Sequence, residues 1–189
     1  FVFGLHNHQP IGNLSSVFDK AFIDCYLPFL STLEKFPDLK AVIHNSGALY
    51  DWAESKFPDW ISGLKKLNQR GQIELVGGGY YEPIFPIITQ KDRVGQIKLM
   101  NEYLEKTFQS KPKGCWVPER VWEQSLAKTL KRCGFEYTYL DEANFYLKKE
   151  INKNVNNLYL TEDQGCPLGL FSIDEQLAAV RRRIVLLVI

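Results

Sequence analysis

The chain has 189 residues, of which 45% are hydrophobic and 24% are charged, a composition that indicates a folded globular protein and excludes a disordered one. A formal net charge of +1 argues against electrostatic binding to nucleic acid or to an anionic membrane, and favours a neutral substrate. The sequence starts without a signal peptide and its four cysteines form no C-x-x-C pair, so we predict reduced thiols and a cytoplasmic protein.

Short apolar segments alternate with longer helical ones along the first third of the chain. A strand is predicted over residues 1–6. Apolar residues then recur at three- and four-residue spacing over 18–33, which predicts a helix capped by Ser15 or Ser16, with Pro28 as a candidate kink. A second strand is predicted over 41–44, and a helix over 49–69 that is interrupted near Pro58.

The same alternation continues to residue 173. Strands are predicted over 73–76, 114–117, 137–140 and 168–173. One helix starts at a capping box formed by Thr89 and Asp92 and runs to 108, and another spans 124–133 and ends at Gly134. Residues 148–157 are polar and predict a loop. The pattern predicts one α/β domain, with helices covering a parallel sheet or barrel.

Polar side chains follow the predicted strands at their carboxyl ends, where parallel β/α folds build their active sites. All three histidines of the chain, His6, His8 and His44, are in this group, so we predict that the site lies at this edge. The other members are Asn7, Gln9, Asn45, Ser46, Tyr80, Tyr81, Glu82, Glu119, Arg120, Asp141, Glu142 and Asp174.

A metal site is one interpretation of this edge. His6 and His8 are two residues apart on an extended segment, and with His44 and a carboxylate they could chelate a metal, although no HExxH or similar motif supports this. No G-x-S-x-G elbow indicates a serine triad, and no phosphate-binding pattern follows the glycine run 77–79. We interpret these glycines as a close approach of backbone segments.

A carboxylate chemistry is the stronger interpretation. Retaining cleavage of a glycosidic bond needs a carboxylate nucleophile and a carboxylic acid about 5 Å apart. Glu119 lies just past a predicted strand, after Pro118, which stiffens the backbone, and before Arg120, which can keep a nearby carboxylate ionised. Trp116 and Trp122 offer stacking surface for a sugar. The alternative is a surface Glu-Arg pair at a helix start.

Glu74 is a charged residue within an otherwise apolar predicted strand. Central parallel strands are nearly all apolar, so an inward-pointing Glu is costly unless it is used. We therefore favour a contact with a substrate hydroxyl, and keep a surface position on an edge strand as the alternative.

Three ordered motifs resemble the first three signature regions of glycoside hydrolase family 57, especially its 4-α-glucanotransferase and α-amylase branch. They are His-Asn-His-Gln-Pro at 6–10, Gly-Gln-Ile-Glu-Leu-Val at 71–76 and Trp-Val-Pro-Glu-Arg-Val-Trp at 116–122. The stretches 79–83, 92–93 and 171–175 also look like this family. The resemblance covers residues 1–177.

The resemblance implies an incomplete (β/α)7 barrel and a retaining double-displacement reaction on α-1,4-glucans, with no catalytic metal and no organic cofactor. It implies that Glu119 is the catalytic nucleophile, and that His6, His8, Glu74 and Trp116 bind the sugar. The implied partner is an α-glucan oligo- or polysaccharide, and neither a nucleic acid nor a membrane.

This sequence departs from the family in one functional respect. The family's acid/base Asp lies in a fourth region with an Asp-Asp-Gly-Glu-like pattern that does not occur here, and neither Asp141 nor Asp174 matches it. We therefore predict a C-terminally truncated barrel over 1–177, a non-family tail over 178–189 that reflects truncation or a frameshift, and an isolated chain without activity. The apolar run 184–189 predicts an unprotected strand. An α-amylase-type hydrolase and a metal-dependent carbohydrate deacetylase-like barrel are the alternatives.

Overall fold

The computed structural model describes residues 2–145, 158–174 and 185–188, the last four by their backbone alone. The strands in this part are β1 Phe3–Asn7, β2 Ala41–Asn45, β3 Ile73–Leu75, β4 Gly114–Cys115, β5 Tyr137–Asp141, β6 Leu158–Asp163, β7 Cys166–Ile173 and β8 Val185–Val188. The α-helices are α1 Ser15–Ala21, α2 Leu27–Lys35, α3 Gly47–Lys56, α4 Pro58–Gln69, α5 Gln90–Phe108 and α6 Ser125–Arg132. The predicted loop at 148–157 lies outside the described residues.

Parallel pairing arranges six strands side by side. β1 pairs with β2 and β2 with β3, while β4 pairs with β5 and β5 with β7. A parallel bridge between Gly77 and Cys115, just past the end of β3, connects the two sets. Antiparallel strands flank them, with β8 beside β1 and β6 beside β7. The helices lie between the parallel strands in sequence, and the architecture is the predicted partial α/β barrel.

Side chains alternate between the two faces of this sheet. On β2, Ala41 and Ile43 pack into the cluster under the helices, and Val42 faces the other side. His44 follows Val42 by two residues and therefore shares its face. The inner face carries a small apolar cluster of its own. That cluster consists of Val42, Val76, Trp116, Tyr139 and Ile173.

The helices cover the outer face in two larger clusters. Leu33 of α2, Leu64 of α4 and Met100 of α5 are buried against the first three strands. Ile97 of α5 and Leu130 of α6 are buried against β4, β5 and β7. Each fully buried side chain of this size stabilises the fold by about 1.5–3 kcal/mol. This packing holds the strands so that their carboxyl ends converge.

The first predicted helix is divided, and its predicted cap is wrong. α1 ends at Ala21, a π-helical segment spans Phe22–Tyr26, and α2 follows. Pro28 has no N–H for the helical bond to the turn before it, which favours a wider turn at this place. Leu14 precedes α1, and no side chain caps it, so neither Ser15 nor Ser16 has the predicted role.

Two other helix predictions are confirmed. The helical stretch before residue 69 breaks at Phe57, whose φ of −137° and ψ of 57° are not helical, as expected for the residue before Pro58. At the start of α5, the Thr89 hydroxyl accepts a hydrogen bond from the Asp92 backbone N–H at 3.2 Å. No helix of the described residues combines the length and the hydropathy that crossing a bilayer requires.

The hairpin of β6 and β7 was not predicted from the sequence. β6 is an edge strand in which Leu158 and Leu160 are exposed, so it shows no alternation of buried apolar and exposed polar residues. The turn between the strands contains Gln164 and Gly165, both with positive φ. The apolar run near the end forms a strand, β8, which pairs with β1 along one edge and lies at the end of its sheet.

Candidate active site

The ends of β1 and β2 bring two imidazoles together. The parallel register sets His6 opposite His44 on the inner face. Their Nδ1 atoms lie 2.8 Å apart. The side chain of His44 is fully buried, and that of His6 is 14% exposed. His6 also stacks on the indole of Trp116, with ring centroids 4.3 Å apart. The two histidines that are 38 residues apart in sequence therefore form one unit.

Glu82 completes this group from the segment after β3. Its carboxyl oxygens lie 3.4 Å from His44 Nε2 and 3.9 Å from His6 Nε2. The backbone of Glu82 is left-handed, with a φ of 56°, and its N–H donates to the carbonyl of Gly79 at 3.2 Å. Such a conformation costs a residue other than glycine about 1–2 kcal/mol. A tight, strained turn thus directs the carboxyl group towards the imidazoles.

Burial controls the ionisation of these three side chains. Desolvation, with a smaller effect of His8, lowers the pKa of His6 to about 3. Desolvation also lowers the pKa of His44 well below its ordinary value, with His6 adding to the effect. Burial first, and then the charge of Glu119, raises the pKa of Glu82 to about 8. At neutral pH all three groups are therefore uncharged.

Glu119 lies in a strained turn after β4. The residues Glu119 and Arg120 have consecutive left-handed conformations, with φ of 54° and 55°. Backbone strain of this kind concentrates at functional sites. Glu119 is exposed. Its charge opposes the lowering of the His8 pKa by burial and also raises the pKa of Glu82. Glu119 is therefore close enough to His8 and to Glu82 for its charge to act on both.

The ion pair of Arg120 is formed with Asp141 and not with Glu119. Its Nε donates to Asp141 Oδ2 at 2.9 Å, at the end of β5. The sequence predicted that Arg120 would keep a nearby carboxylate ionised, and the carboxylate that it pairs with is Asp141. The pair connects the strained turn after β4 to the end of the neighbouring strand β5.

The glycine run 77–79 is explained by close packing, as predicted. A methyl group at Gly78 would lie 2.8 Å from His44 Nε2 and 3.0 Å from the carbonyl oxygen of Trp116. A methyl group at Gly77 would lie 2.9 Å from the ring of Phe135. Real Cβ atoms do not approach so closely without displacing a neighbour. The backbone after β3 must therefore lack side chains for His44 to occupy its position.

Trp116 lies beneath the imidazoles and has little open surface. It is only 1% exposed, and both His6 and His44 stack on it, the latter with ring centroids 6.1 Å apart. The tryptophan ring thus supports the histidines, and its predicted direct contact with a sugar stays a prediction. Trp122 is only partly buried, against the outer cluster of α6.

Glu74 faces the inner side of the sheet but lies away from the other predicted site residues. The register sets Glu74 opposite Val42. Val42 precedes His44 by two residues on β2, which is about 7 Å along the strand. Its carboxylate accepts a hydrogen bond from the Tyr137 hydroxyl at 2.6 Å. It lines a cavity of about 470 Å³ near the amino ends of β2 and β3. Its predicted role in binding the sugar stays a prediction.

Glu82 is the site residue that the sequence analysis did not select, although it belonged to the polar edge. The available signal was its position between a glycine run and Pro83, because such a segment forms a tight turn. His6, His44 and Glu82 offer ligand atoms within 4.8 Å of one another, close enough for a metal ion. His8, which the metal interpretation had included, is not in this group.

The sequence matches the family model of glycosyl hydrolase family 57 over residues 2–185. An α-amylase of Pyrococcus furiosus is 43% identical over 177 residues, which are 94% of this chain and 27% of that protein. A 4-alpha-glucanotransferase of Thermococcus litoralis is 41% identical, with the same shares covered. A crystal structure of a 4-alpha-glucanotransferase from that organism matches with a TM-score of 0.89, over 95% of this chain and 28% of the other.

The chain spans 27% of the length of these curated relatives. The predicted boundary at residue 177, between the family region and a non-family tail, stays a prediction. The match covers strands β1 to β7, the strained turn at Glu119 and the three sequence motifs. The chain belongs to glycosyl hydrolase family 57.

Proposed function

We propose that this chain provides the nucleophile side of a retaining active site that cleaves α-1,4-glucans and transfers the glycosyl group. The observation that carries the proposal is the position of Glu119. Its carboxylate is exposed on a strained turn, and its charge acts on the half-buried His8 and on the buried carboxyl group of Glu82. A fixed carboxylate at the edge of a cleft is what attack on an anomeric carbon requires.

The reaction has two steps. A Glu119 oxygen bonds to the anomeric carbon while the glycosidic C–O bond breaks, and the leaving oxygen takes a proton from a carboxylic acid. An acceptor hydroxyl then gives its proton to the conjugate base of that acid, and its oxygen bonds to the anomeric carbon as the bond to Glu119 breaks. The family's proton donor lies in a fourth motif that this sequence does not contain. We propose that a longer protein, the full-length parent, provides that donor, and that the isolated chain does not turn over amylose.

The histidines are the proposed sugar contacts. His8 is half-buried and is affected by the charge of Glu119, so it lies where a sugar bound at the nucleophile would reach it. His6 is the more exposed member of the imidazole pair. We assign Trp116 to the floor of this subsite, and Glu74, which is exposed, to a position nearer the amino ends of the strands.

Transfer and hydrolysis differ only in the acceptor of the second step. The similar proteins include both an α-amylase and a 4-alpha-glucanotransferase. Incubation of the full-length parent with maltotriose distinguishes the two outcomes. Longer oligosaccharides indicate transfer, and only shorter sugars indicate hydrolysis.

A metal-dependent deacetylase is the second candidate, because His6, His44 and Glu82 converge. The short Nδ1–Nδ1 distance argues against it, since two rings that bind one metal through Nε2 would both carry a proton on Nδ1. Metal analysis of the purified full-length parent and activity in chelator separate the candidates. Activity that is lost in chelator and restored by a metal would support the deacetylase.

The direct test is to trap the covalent intermediate on the full-length parent. A fluorinated α-glucosyl fluoride slows the second step, so the glycosyl-enzyme accumulates and can be located by peptide mass spectrometry. We expect the label on Glu119, no label in Glu119→Gln, and a normal label in Glu102→Gln, which changes an exposed carboxylate of α5. A label on another carboxylate would refute the assignment of the nucleophile.

A further inference from the structure

Arg93 of α5 is a buried cation that has no part in the proposed reaction. Its side chain is only 6% exposed. A buried charge costs free energy unless hydrogen-bond partners compensate it, and the partners of Arg93 come from two different segments. Nε donates to the carbonyl oxygen of Phe85 at 3.1 Å, and a terminal guanidinium nitrogen donates to Glu123 Oε1 at 3.3 Å. Arg93 therefore connects two parts of the chain that are far apart in sequence.

The two partners lie on the segments that leave the neighbouring strands β3 and β4 at their carboxyl ends. Phe85, whose side chain is fully buried, belongs to the β3 loop, which we define as residues 76–89. Glu123 belongs to the β4 loop, defined as residues 116–124, which carries Glu119 and leads into α6. A parallel bridge already connects the backbone just past β3 with β4. The arginine contacts are therefore a second connection between these two segments, further along the chain from the strand ends.

The β4 loop is also connected to the strands on its other side. The Arg120 ion pair connects it to the end of β5. The side chain of Gln124 donates to the carbonyl oxygen of Glu162 on β6 at 2.7 Å. The contact of Glu123 with the arginine of α5 connects the same loop in the opposite direction, towards the β3 loop. The segment that carries the proposed nucleophile is thus held from both sides.

The guanidinium group suits this connection because it is planar and holds its N–H donors in fixed directions. Two of its nitrogens reach two acceptors at once, whereas a lysine has a single nitrogen at the end of a flexible side chain. The helix that carries Arg93 is capped at its start by Thr89. One turn later, the side chain of Gln96 accepts from the backbone N–H of Tyr81 in the β3 loop at 2.9 Å. The amino half of α5 therefore holds the β3 loop at two places and the β4 loop through Arg93.

We propose that Arg93 is a positioning residue that fixes the β4 loop against the β3 loop and thereby orients Glu119 for attack. The proposal rests on the proposed function, because it assumes that Glu119 is the nucleophile. Arg93 does not contact the sugar itself, since its side chain is buried and its hydrogen bonds go to protein acceptors. Attack requires the reacting atoms to lie about 3–3.5 Å apart, so a displacement of the loop by about 1 Å is enough to slow the reaction.

A purely structural role of Arg93 predicts a different result from a positioning role. If Arg93 only stabilised the fold, its variants would unfold at lower urea concentration, but the folded enzyme would turn over normally. If Arg93 positions Glu119, kcat falls in the folded enzyme while KM is unchanged, because the lost interaction acts only in the transition state. The rate at which a saturating fluorinated glucosyl fluoride labels Glu119 then falls together with kcat.

Arg93→Lys and Glu123→Ala break the connection in the full-length parent from its two ends. Arg93→Lys keeps the charge but replaces the planar group by one nitrogen. Glu123→Ala removes the acceptor from a side chain that is 42% exposed, so this variant should fold even if Arg93→Lys does not. We expect each change to lower kcat and the rate of Glu119 labelling by about 10-fold to 10²-fold. The double variant should lose little more than either single one, because both changes break the same contact.

Two further variants of the same site are the controls. Glu123→Gln keeps an oxygen that accepts from Arg93, so it should retain wild-type kcat. Ser125→Ala removes the other hydrogen bond to Glu123 Oε1, which is 2.6 Å long, and leaves Arg93 in place, so it should also behave as wild type. Unchanged kcat and labelling in folded Glu123→Ala, or an equal loss in Ser125→Ala, would overturn the proposal. A wild-type enzyme that is not labelled at Glu119 would instead refute the proposed function.

Discussion

The Nδ1 atoms of His6 and His44 lie 2.8 Å apart, at the carboxyl ends of two neighbouring parallel strands. The contact follows from the register of β1 and β2, which sets the two residues opposite each other on the inner face. It makes the ionisation of each imidazole depend on the other, since a proton on both Nδ1 atoms would bring two hydrogens together. Because a side chain at position 78 would press against His44, replacing Gly78 should disturb this contact.

Gly78→Ala should destabilise the fold and displace His44. The added methyl group would meet His44 Nε2 at 2.8 Å and the Trp116 carbonyl oxygen at 3.0 Å, so one of them must move. We expect a loss of about 1–3 kcal/mol in the free energy of unfolding, measured in urea. Gly95→Ala in α5, where a methyl group meets nothing within 4 Å, is the control and should be neutral or stabilising by up to about 1 kcal/mol. Equal effects of the two changes would contradict the packing explanation.

Thr89→Ala should destabilise the amino end of α5. The hydroxyl of Thr89 accepts from the Asp92 N–H, and removing this cap costs about 1 kcal/mol in the free energy of unfolding. Ser15→Ala is the matched change at α1, where no side-chain cap is present, and should lie within about 0.5 kcal/mol of wild type. A larger loss for Ser15→Ala than for Thr89→Ala would restore the original assignment of the cap.

Asp141→Asn should reduce activity more than stability. The side chains of Arg120 and Asp141 are 34% and 22% exposed, so their ion pair contributes less than about 1 kcal/mol to stability. The pair nevertheless connects the turn of Glu119 to β5, so its loss should displace the proposed nucleophile and lower kcat by about 10-fold to 10²-fold. Turnover and urea unfolding of the full-length parent measure the two effects. Unchanged kcat would show that the turn holds its shape without this pair.

The matched control breaks another ion pair that lies far from the cleft. Glu102→Gln removes the exposed pair of Lys98 with Glu102 on α5, whose nitrogen and oxygen lie 3.6 Å apart. We expect neither the free energy of unfolding nor kcat to change measurably, because exposed i,i+4 pairs contribute only about 0.3–0.5 kcal/mol.

Local patterns predicted most elements because their causes are local. The capping residues Thr89 and Asp92 are three residues apart, and the break before Pro58 follows from a proline ring acting on the residue before it. The edge strand Leu158–Asp163 was missed, because its identity comes from pairing with Cys166–Ile173 and not from its own alternation. The π segment Phe22–Tyr26 was missed as well, since the apolar spacing continues through it.

The sequence by itself determined the family, the parallel α/β arrangement and the edge of the sheet at which the polar residues collect. The family follows from short motifs, and the position of the polar residues follows from the rule that the carboxyl ends of parallel strands lie on the same side of the fold. Only the tertiary structure decided which of these residues meet. It placed Glu82 against His44 and His6, paired Arg120 with Asp141, and set Glu74 one side-chain layer nearer the amino ends of the strands. The physical reason is that contacts between distant segments depend on strand register and on backbone conformations such as the left-handed turn at Glu119, which no local spacing specifies.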